Sequence, residues 1–186
     1  ISVYNENAFH NACEYGRLKI AMWLLQVKPD IKISAHDDYA FRWACVNGNL
    51  EVAKWLLSVK PDINISAQNE FAFSYVCAKG HLEVTKWLLS VKPDINISAQ
   101  DDSAFRYSCM DGHLEVAKWL LQVKPDINIS AFNEEAFRYA CLRGHLEVAK
   151  WLLQVKPDIN ISAQNEYAFR GACFNGQLEV AKWLLY

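Results

Sequence analysis

Glycine, cysteine, tryptophan and proline recur in this chain with one common period. Gly16, Gly48, Gly80, Gly112, Gly144 and Gly176 stand 32 residues apart. Cys13, Cys45, Cys77, Cys109, Cys141 and Cys173 keep the same spacing, as do the Trp series from Trp23 to Trp183 and the Pro series from Pro29 to Pro157. Self-similarity at a fixed period of this size marks a repeat architecture. The chain is six copies of one unit, at about 1–32, 33–64, 65–96, 97–128, 129–160 and 161–186, with no linker or insertion. It is therefore expected to form a single repeat domain over 1–186. A middle copy, Ile97 to Asn128, reads ISAQDDSAFRYSCMDGHLEVAKWLLQVKPDIN.

Each unit contains two short helical stretches. The first is expected from about Asp102 to Met110, with Asp101 at the N-cap and Asp102 placing negative charge in the first turn. Ala104, Phe105, Ser108 and Cys109 form a stripe that faces a core. Gly112 supplies a left-handed residue that ends the helix. The second stretch runs from about Leu114 to Gln122. Only Glu115, Lys118 and Gln122 are polar there, so one narrow face is expected in solvent and the rest buried, with Glu115 and Lys118 paired along it. Pro125 forbids continuation, and a loop with short extended character follows at Ile127–Ile129. One such helix pair cannot bury its apolar face alone. Stacked copies can, so the expected fold class is all-α: a solenoid of six helix–turn–helix repeats joined by short extended loops.

The second helix, G-H-L-E-V-A-K-W-L-L at Gly112 to Leu121 and again at Gly144 to Leu153, followed by D-I-N at Asp126 to Asn128, resembles an ankyrin repeat. The family's inner motif, Thr-Pro-Leu-His-x-Ala-Ala, is matched loosely by S-A-F-R-Y-S-C (Ser103 to Cys109) and E-A-F-R-Y-A-C (Glu135 to Cys141). Phe takes the Leu place and Ala the Pro place, while the Thr and His are missing. The unit is one residue shorter than the family's, in the loop, where Lys124 precedes Pro125 in place of the family's Gly. The near-uniform copies are similar to ankyrin arrays of giant DNA viruses, with a consensus-style engineered array as the competing origin. The resemblance implies a protein-binding scaffold.

Several classes of chemistry lack their residues. Equivalent positions in stacked copies lie about 8–10 Å apart, and a disulfide needs Cα atoms within about 7 Å, so no disulfide is expected. The six Cys read as buried, reduced thiols, which fits an intracellular, cytoplasmic location (host cytoplasm for a viral protein). No Cys pair has zinc-site spacing, and His81, His113 and His145 lie one per unit, so no metal or other cofactor is expected. Each His is read as bonding nearby backbone at the start of a second helix. The chain has no phosphate loop, no nucleophile elbow and no convergence of unlike catalytic groups, so it is not expected to be an enzyme. A formal net charge of −2, with Asp101, Asp102, Glu134 and Glu135 among the variable copies, gives no footprint for nucleic acid or an anionic membrane. No apolar run reaches the roughly 18 residues of a membrane span. The 52% hydrophobic content is enough for a packed core. Ile1 is not an initiator Met, which leaves room for a removed leader or a larger N-terminal region.

Positions that differ between copies point to function. Just before the repeated Ala stand Asn7, Tyr39, Phe71, Ser103, Glu135 and Tyr167; three residues on come His10, Arg42, Ser74, Arg106, Arg138 and Arg170. The next column is Asn11, Trp43, Tyr75, Tyr107, Tyr139 and Gly171, followed by columns containing Val46, Met110 and Leu142, and then Lys79. Tyr39, Trp43 and Val46 share a helix face opposite Phe41 and Cys45. In an ankyrin-like stack that face lines the concave side, and Tyr4, His36, Gln68, Gln100, Phe132 and Gln164 add loop tips. Tyr, Trp, Phe and Arg are the types enriched at binding hot spots. The expected partner-binding residues are His36, Tyr39, Arg42, Trp43, Val46, Phe71, Tyr75, Lys79, Ser103, Arg106, Tyr107, Met110, Phe132, Glu135, Arg138, Tyr139, Leu142 and Tyr167. Tyr39, Phe71 and Tyr107 should be mostly exposed, and Phe105 and Trp119 buried. The column Trp43, Tyr75, Tyr107 and Tyr139 reads equally as packing between copies.

The function expected is a non-catalytic scaffold that binds a protein through its concave face and loop tips. The alternative is a structural or self-assembling array, a fragment of a longer solenoid or one that associates end to end, because the last copy stops on the apolar helix at Leu184-Leu185-Tyr186. The resemblance also implies that Asn64, Asn96, Asn128 and Asn160, each eight residues after a Leu in L-x-x-x-x-x-D-I-N, could be targets of an asparaginyl hydroxylase. The structural alternative is that each Asn side chain satisfies loop backbone.

Overall fold

The structure, a computed structural model, describes residues 2–185, with side-chain surroundings from Glu6 onward. The side chain of Tyr4 and the whole of Tyr186, both named above, lie outside the described residues. Twelve helices and no strand occur among the described residues. The first helix of each copy is α1 (Ser2–Glu14), α3 (Ala35–Val46), α5 (Ala67–Ala78), α7 (Ala99–Met110), α9 (Ala131–Leu142) or α11 (Ala163–Phe174). The second is α2 (Leu18–Val27), α4 (Leu50–Val59), α6 (Leu82–Val91), α8 (Leu114–Val123), α10 (Leu146–Val155) or α12 (Leu178–Leu185). The fold class is an all-α helix–turn–helix repeat solenoid. The chain divides into two compact units, Ile1–Val76 with His81–Asn96 and Cys77–Gly80 with Ile97–Tyr186.

In both units the core is built by the same recurring residues. Phe9, Phe41 and Phe73 are buried in the first unit with Leu56 and Leu88; Phe105 and Phe137 are buried in the second with Leu120 and Leu152. Four of these Phe meet the Trp on the second helix of the next copy. Phe9 lies 6.2 Å from Trp55 and Phe41 6.2 Å from Trp87 in the first unit. Phe105 lies 6.2 Å from Trp151 and Phe137 6.3 Å from Trp183 in the second. Contacts of this kind bury apolar area that a single copy would leave in water. The second helices are less deeply buried than their composition predicts. Trp119 and Leu121 are half-buried and Val123 is exposed, because the neighbouring copy covers only one side of the helix. The expected pair forms, with Lys118 Nζ donating to Glu115 at 2.9 Å.

Tight contacts between copies form where each first helix ends. Gly48 has φ +76° and Gly80 φ +75°. A Cβ on Gly48 would stand 2.7 Å from the ring of His81, and one on Gly80 2.3 Å from that of His113. The conformation and the contact each call for glycine. Asn49 holds the corresponding place against Gly16, with its Nδ2 donating to Glu14 O at 2.6 Å. The His residues thus reach the backbone of the preceding copy, as His113 does at Ala78.

The start of the first helix departs from expectation. Three consecutive residues in each described turn are left-handed: His36, Asp37 and Asp38; Gln68, Asn69 and Glu70; Gln100, Asp101 and Asp102; Phe132, Asn133 and Glu134; Gln164, Asn165 and Glu166. Each such L-residue costs about 1–2 kcal/mol. Asp101 is therefore an exposed turn residue and not an N-cap, and the right-handed helix starts one residue later than expected, at Ser103. The acid that ends four of the turns reaches 26 residues along the chain, to the last main-chain amide of its own copy. Asp38 accepts from Asn64 N–H at 3.0 Å, Glu70 from Asn96 N–H at 3.3 Å, Asp102 from Asn128 N–H at 3.0 Å and Glu134 from Asn160 N–H at 3.4 Å. Ser66 and Ser98 hydroxyls donate to Glu70 and Asp102 from within their own copy.

Candidate functional site

An arginine closes most of the left-handed turns. Arg42 Nε donates to Asp37 O at 2.7 Å and its NH2 to His36 O at 2.9 Å. Arg106 does the same to Asp101 O (2.8 Å) and Gln100 O (2.9 Å), and Arg138 to Asn133 O (2.7 Å) and Phe132 O (3.0 Å). A planar guanidinium suits two neighbouring carbonyls. These side chains are buried, at 4%, 6% and 8% exposure, so the binding role expected of Arg42, Arg106 and Arg138 gives way to a scaffold role. Arg42 also donates to Gln68 of the next copy at 2.9 Å, and Arg106 pairs with Glu135. In copy three the column holds Ser74, and in copy one it holds His10.

The guanidinium groups carry aromatic rings on their faces. In the first unit Arg42 lies 5.0 Å from the Phe71 ring centre. There the rings form a row: His36 to His10 at 5.8 Å, His10 to Tyr39 at 5.2 Å, Tyr39 to Trp43 at 5.8 Å, Trp43 to Phe71 at 5.9 Å and Phe71 stacked on Tyr75 at 4.3 Å. Tyr39 OH donates to Glu14 at 3.0 Å. Burial and then this carboxylate push the Tyr39 phenol above its ordinary value. Burial and the nearby His36 hold His10 below the usual histidine value. In the second unit Arg106 covers Phe132 at 4.4 Å, Arg138 covers Tyr167 at 5.1 Å and Tyr139 lies 5.8 Å from Tyr167.

Of the residues expected on a binding face, His36, Tyr75, Lys79 and Phe132 are exposed. Tyr39, Trp43, Phe71, Tyr107, Met110, Glu135, Tyr139, Leu142 and Tyr167 are half-buried, so Tyr39, Phe71 and Tyr107 are less open than expected. Val46 and Ser103 are fully buried and offer no surface: Val46 sits in the core and Ser103 Oγ donates to Ala99 O at 3.1 Å. In the ring column Trp43 and Tyr139 meet rings of the next copy, whereas Tyr75 stacks on Phe71 of its own copy and is exposed on its other side. Sequence reasoning missed the turn acids and the clamping role of the arginines. The available signal was recurrence, since an acid stands in all six copies and Arg in four.

Asn64, Asn96, Asn128 and Asn160 are exposed at the loop tips. Three of these side chains accept from the backbone two residues on: Asn64 from Ser66 N–H (3.2 Å), Asn128 from Ser130 N–H (3.2 Å) and Asn160 from Ser162 N–H (3.1 Å). Cys13, Cys45, Cys77, Cys109 and Cys141 are buried and unbridged, and Cys173 is exposed. Burial pushes the thiols of Cys13 and Cys141 up to about 12 and raises those of Cys45 and Cys109 further. No cluster of three metal-ligating side chains occurs among the described residues, and no helix is long and apolar enough to cross a membrane.

Comparison with solved structures finds the ankyrin repeat domain of human ASB11, a crystal structure with a TM-score of 0.70 and 18% identity, covering 95% of this chain and 81% of that one. At that identity the likeness speaks to the fold alone. No curated protein sequence matches the chain. The family model for ankyrin repeats (3 copies) matches residues 2–69, 41–131 and 107–186. Those matches run over the same helix pairs that the 32-residue period marks out, and the chain belongs to the ankyrin repeat family.

Proposed function

We propose that the chain is a non-catalytic scaffold that binds a protein partner through the ring-bearing side of its first helices and the tips of its left-handed turns. Ankyrin repeats generally serve protein–protein interaction. The observation that carries the reading here is a set of aromatic side chains fixed in place yet open on one side. Tyr75 is 41% exposed while stacked on Phe71, and Phe132 is 52% exposed while covered by Arg106. A ring already held by its neighbours loses little conformational freedom on binding, which suits an anchor. The polar residues stand in ladders, one per copy, and do not converge as a catalytic group requires. Buried thiols in five copies fit a reducing compartment, so the cytoplasm is the proposed location. Host-lysate proteins captured on the immobilised chain and identified by mass spectrometry would supply the partner. Tyr75→Ala and Phe132→Ala should then each weaken that partner by about 1–3 kcal/mol. Unchanged affinity for both variants would overturn the reading.

The loop asparagines are proposed as hydroxylation sites only in the weaker sense that Asn64, Asn96, Asn128 and Asn160 are accessible. The Asx-type bonds of three of them favour a structural role. Intact mass after incubation with an asparaginyl hydroxylase decides, and an unchanged mass ends the idea.

A second reading, end-to-end self-association, rests on Trp23. Trp55 and Trp87 are covered by Phe9 and Phe41, whereas Trp23 is 57% exposed beside Ile20 at 50%. The second unit exposes Phe174 and Leu178. A second molecule seated with its Phe174 and Leu178 on Trp23 and Ile20 would make a head-to-tail contact. Sedimentation should show mass rising with concentration, and Trp23→Lys should abolish the rise. A strict monomer from about micromolar to millimolar concentration would exclude it.

A further inference from the structure

In copies two to five one column of the first helix carries a ring: Trp43, Tyr75, Tyr107 and Tyr139. In the second unit the column ends at Gly171, on α11. Beside it lies an open pocket of about 260 Å³, lined by Leu142, Tyr167, Arg170, Gly171, Phe174 and Asn175. Tyr139 lies 5.8 Å from Tyr167, so the row of rings runs up to the edge of the pocket and stops there.

We propose that this pocket receives an aromatic side chain of the protein partner, presented next to an acidic residue. The proposal rests on the protein-binding reading above and names the chemistry of one contact within it. Three observations select the occupant. First, the pocket lies open where copies three to five carry a tyrosine ring, and a ring attached at Gly171 would enter it only with a small shift of the Leu142 side chain, 3.1–3.2 Å from a Cβ there. Second, its walls suit a π-face. The Tyr167 ring already takes the Arg138 guanidinium on one face, and Phe174, at 91% exposure, has apolar area to bury. Asn175 Nδ2 donates to Gly171 O at 2.9 Å, which satisfies that carbonyl without the ligand. Third, Arg170 stands at the rim in a different state from its equivalents. Arg138 bonds two turn carbonyls and is buried, whereas Arg170 bonds Asn165 O alone, at 3.1 Å, and is exposed. An exposed guanidinium with donors to spare favours a carboxylate beside the incoming ring.

The probe is the capped tripeptide acetyl-Asp-Trp-Glu-amide, titrated into the full chain and followed by NMR. Binding near ~1 mM is the scale for an indole-sized anchor. Shifts should concentrate at the Leu142 methyls, the Gly171 amide and Phe174. The peptide with Ala in place of Trp should bind at least tenfold more weakly. Gly171→Tyr, which restores the residue of copies three to five, should cost at least tenfold, and Arg170→Gln severalfold. If Gly171→Tyr does not fold, Phe174→Ala takes its place with the same expectation. No shifts, equal binding of the Ala peptide, or undiminished binding to the filled variant overturns the proposal. Oligo-dT producing the same shifts as the peptide also overturns it, in favour of base stacking. Partner binding lost in Tyr75→Ala and Phe132→Ala but intact in Gly171→Tyr would remove the pocket and keep the binding face.

Discussion

Replacing Arg106 with alanine takes donors away from Gln100 O and Asp101 O, two carbonyls in a left-handed turn, and exposes the turn's own conformational cost. Hydrogen bonds from a charged donor contribute about 1.5–3 kcal/mol each, shared here with the competing interactions of water. Arg106→Ala is expected to lower stability by about 2–3 kcal/mol in a urea titration. Arg106→Lys should recover less than half, because an ammonium cannot span both carbonyls. The histidines act through protonation. Burial, the largest cause, and Lys79 lower the His113 value, against a backbone bond at Ala78 that raises it. Burial, Arg143 and His113 lower that of His145. Each folded value lies below the unfolded value near 6.5, so the unfolded chain takes up protons first as pH falls. Their contribution is fully present above that value and is lost below it. The melting temperature should drop between about pH 7 and pH 5. Asn at His113 and Gln at His145, the residues found at Asn49 and Gln177, should flatten the drop. An unaltered slope in the double variant would remove these two residues as its cause.

At the scale of the helix, the two aromatic populations separate. Phe105 has no exposure and contacts Trp151, so Phe105→Ala is expected to cost about 3–5 kcal/mol. Tyr75, stacked on one side and open on the other, should cost less than about 1 kcal/mol on truncation. Thermal or urea unfolding of the two variants checks the contrast, and equal losses would show Tyr75 to be core. The pattern of Ala104, Phe105, Ser108 and Cys109 was legible because helix periodicity and burial follow the same local geometry. The turn before it was not. Asp101 in sequence reads as an N-cap, and nothing local announces three L-residues with positive φ. What fixes that turn lies elsewhere in the fold: Asn128 N–H from the far end of the same copy and Arg106 from the helix. For the same reason the arginines read as hot-spot residues. Residue type alone points to binding, while the carbonyls they serve come together only in three dimensions. The ring column fell between the two readings because its members are half in each.

Across the whole molecule, the six thiols give a count that reports folding. Five are buried and Cys173 is exposed. A chromogenic disulfide reagent should titrate one thiol per native chain quickly and the other five only as the repeats open. Rapid reaction of two or more thiols in the native state would contradict the packing of the first helices. The left-handed turns carry one more implication. The carboxylates of Asp38, Glu70, Asp102 and Glu134 each grip a main-chain N–H, and a main-chain N–H looks the same whichever side chain follows it. A grip of that kind is blind to identity. Misaligned recombination within the gene, dropping or doubling one 32-residue stretch, would therefore keep an acid 26 residues ahead of each such amide. The number of copies and the order of their ring-bearing positions are free to drift while the turns stay closed, so a lineage carrying this protein can vary its surface without relearning how to fold.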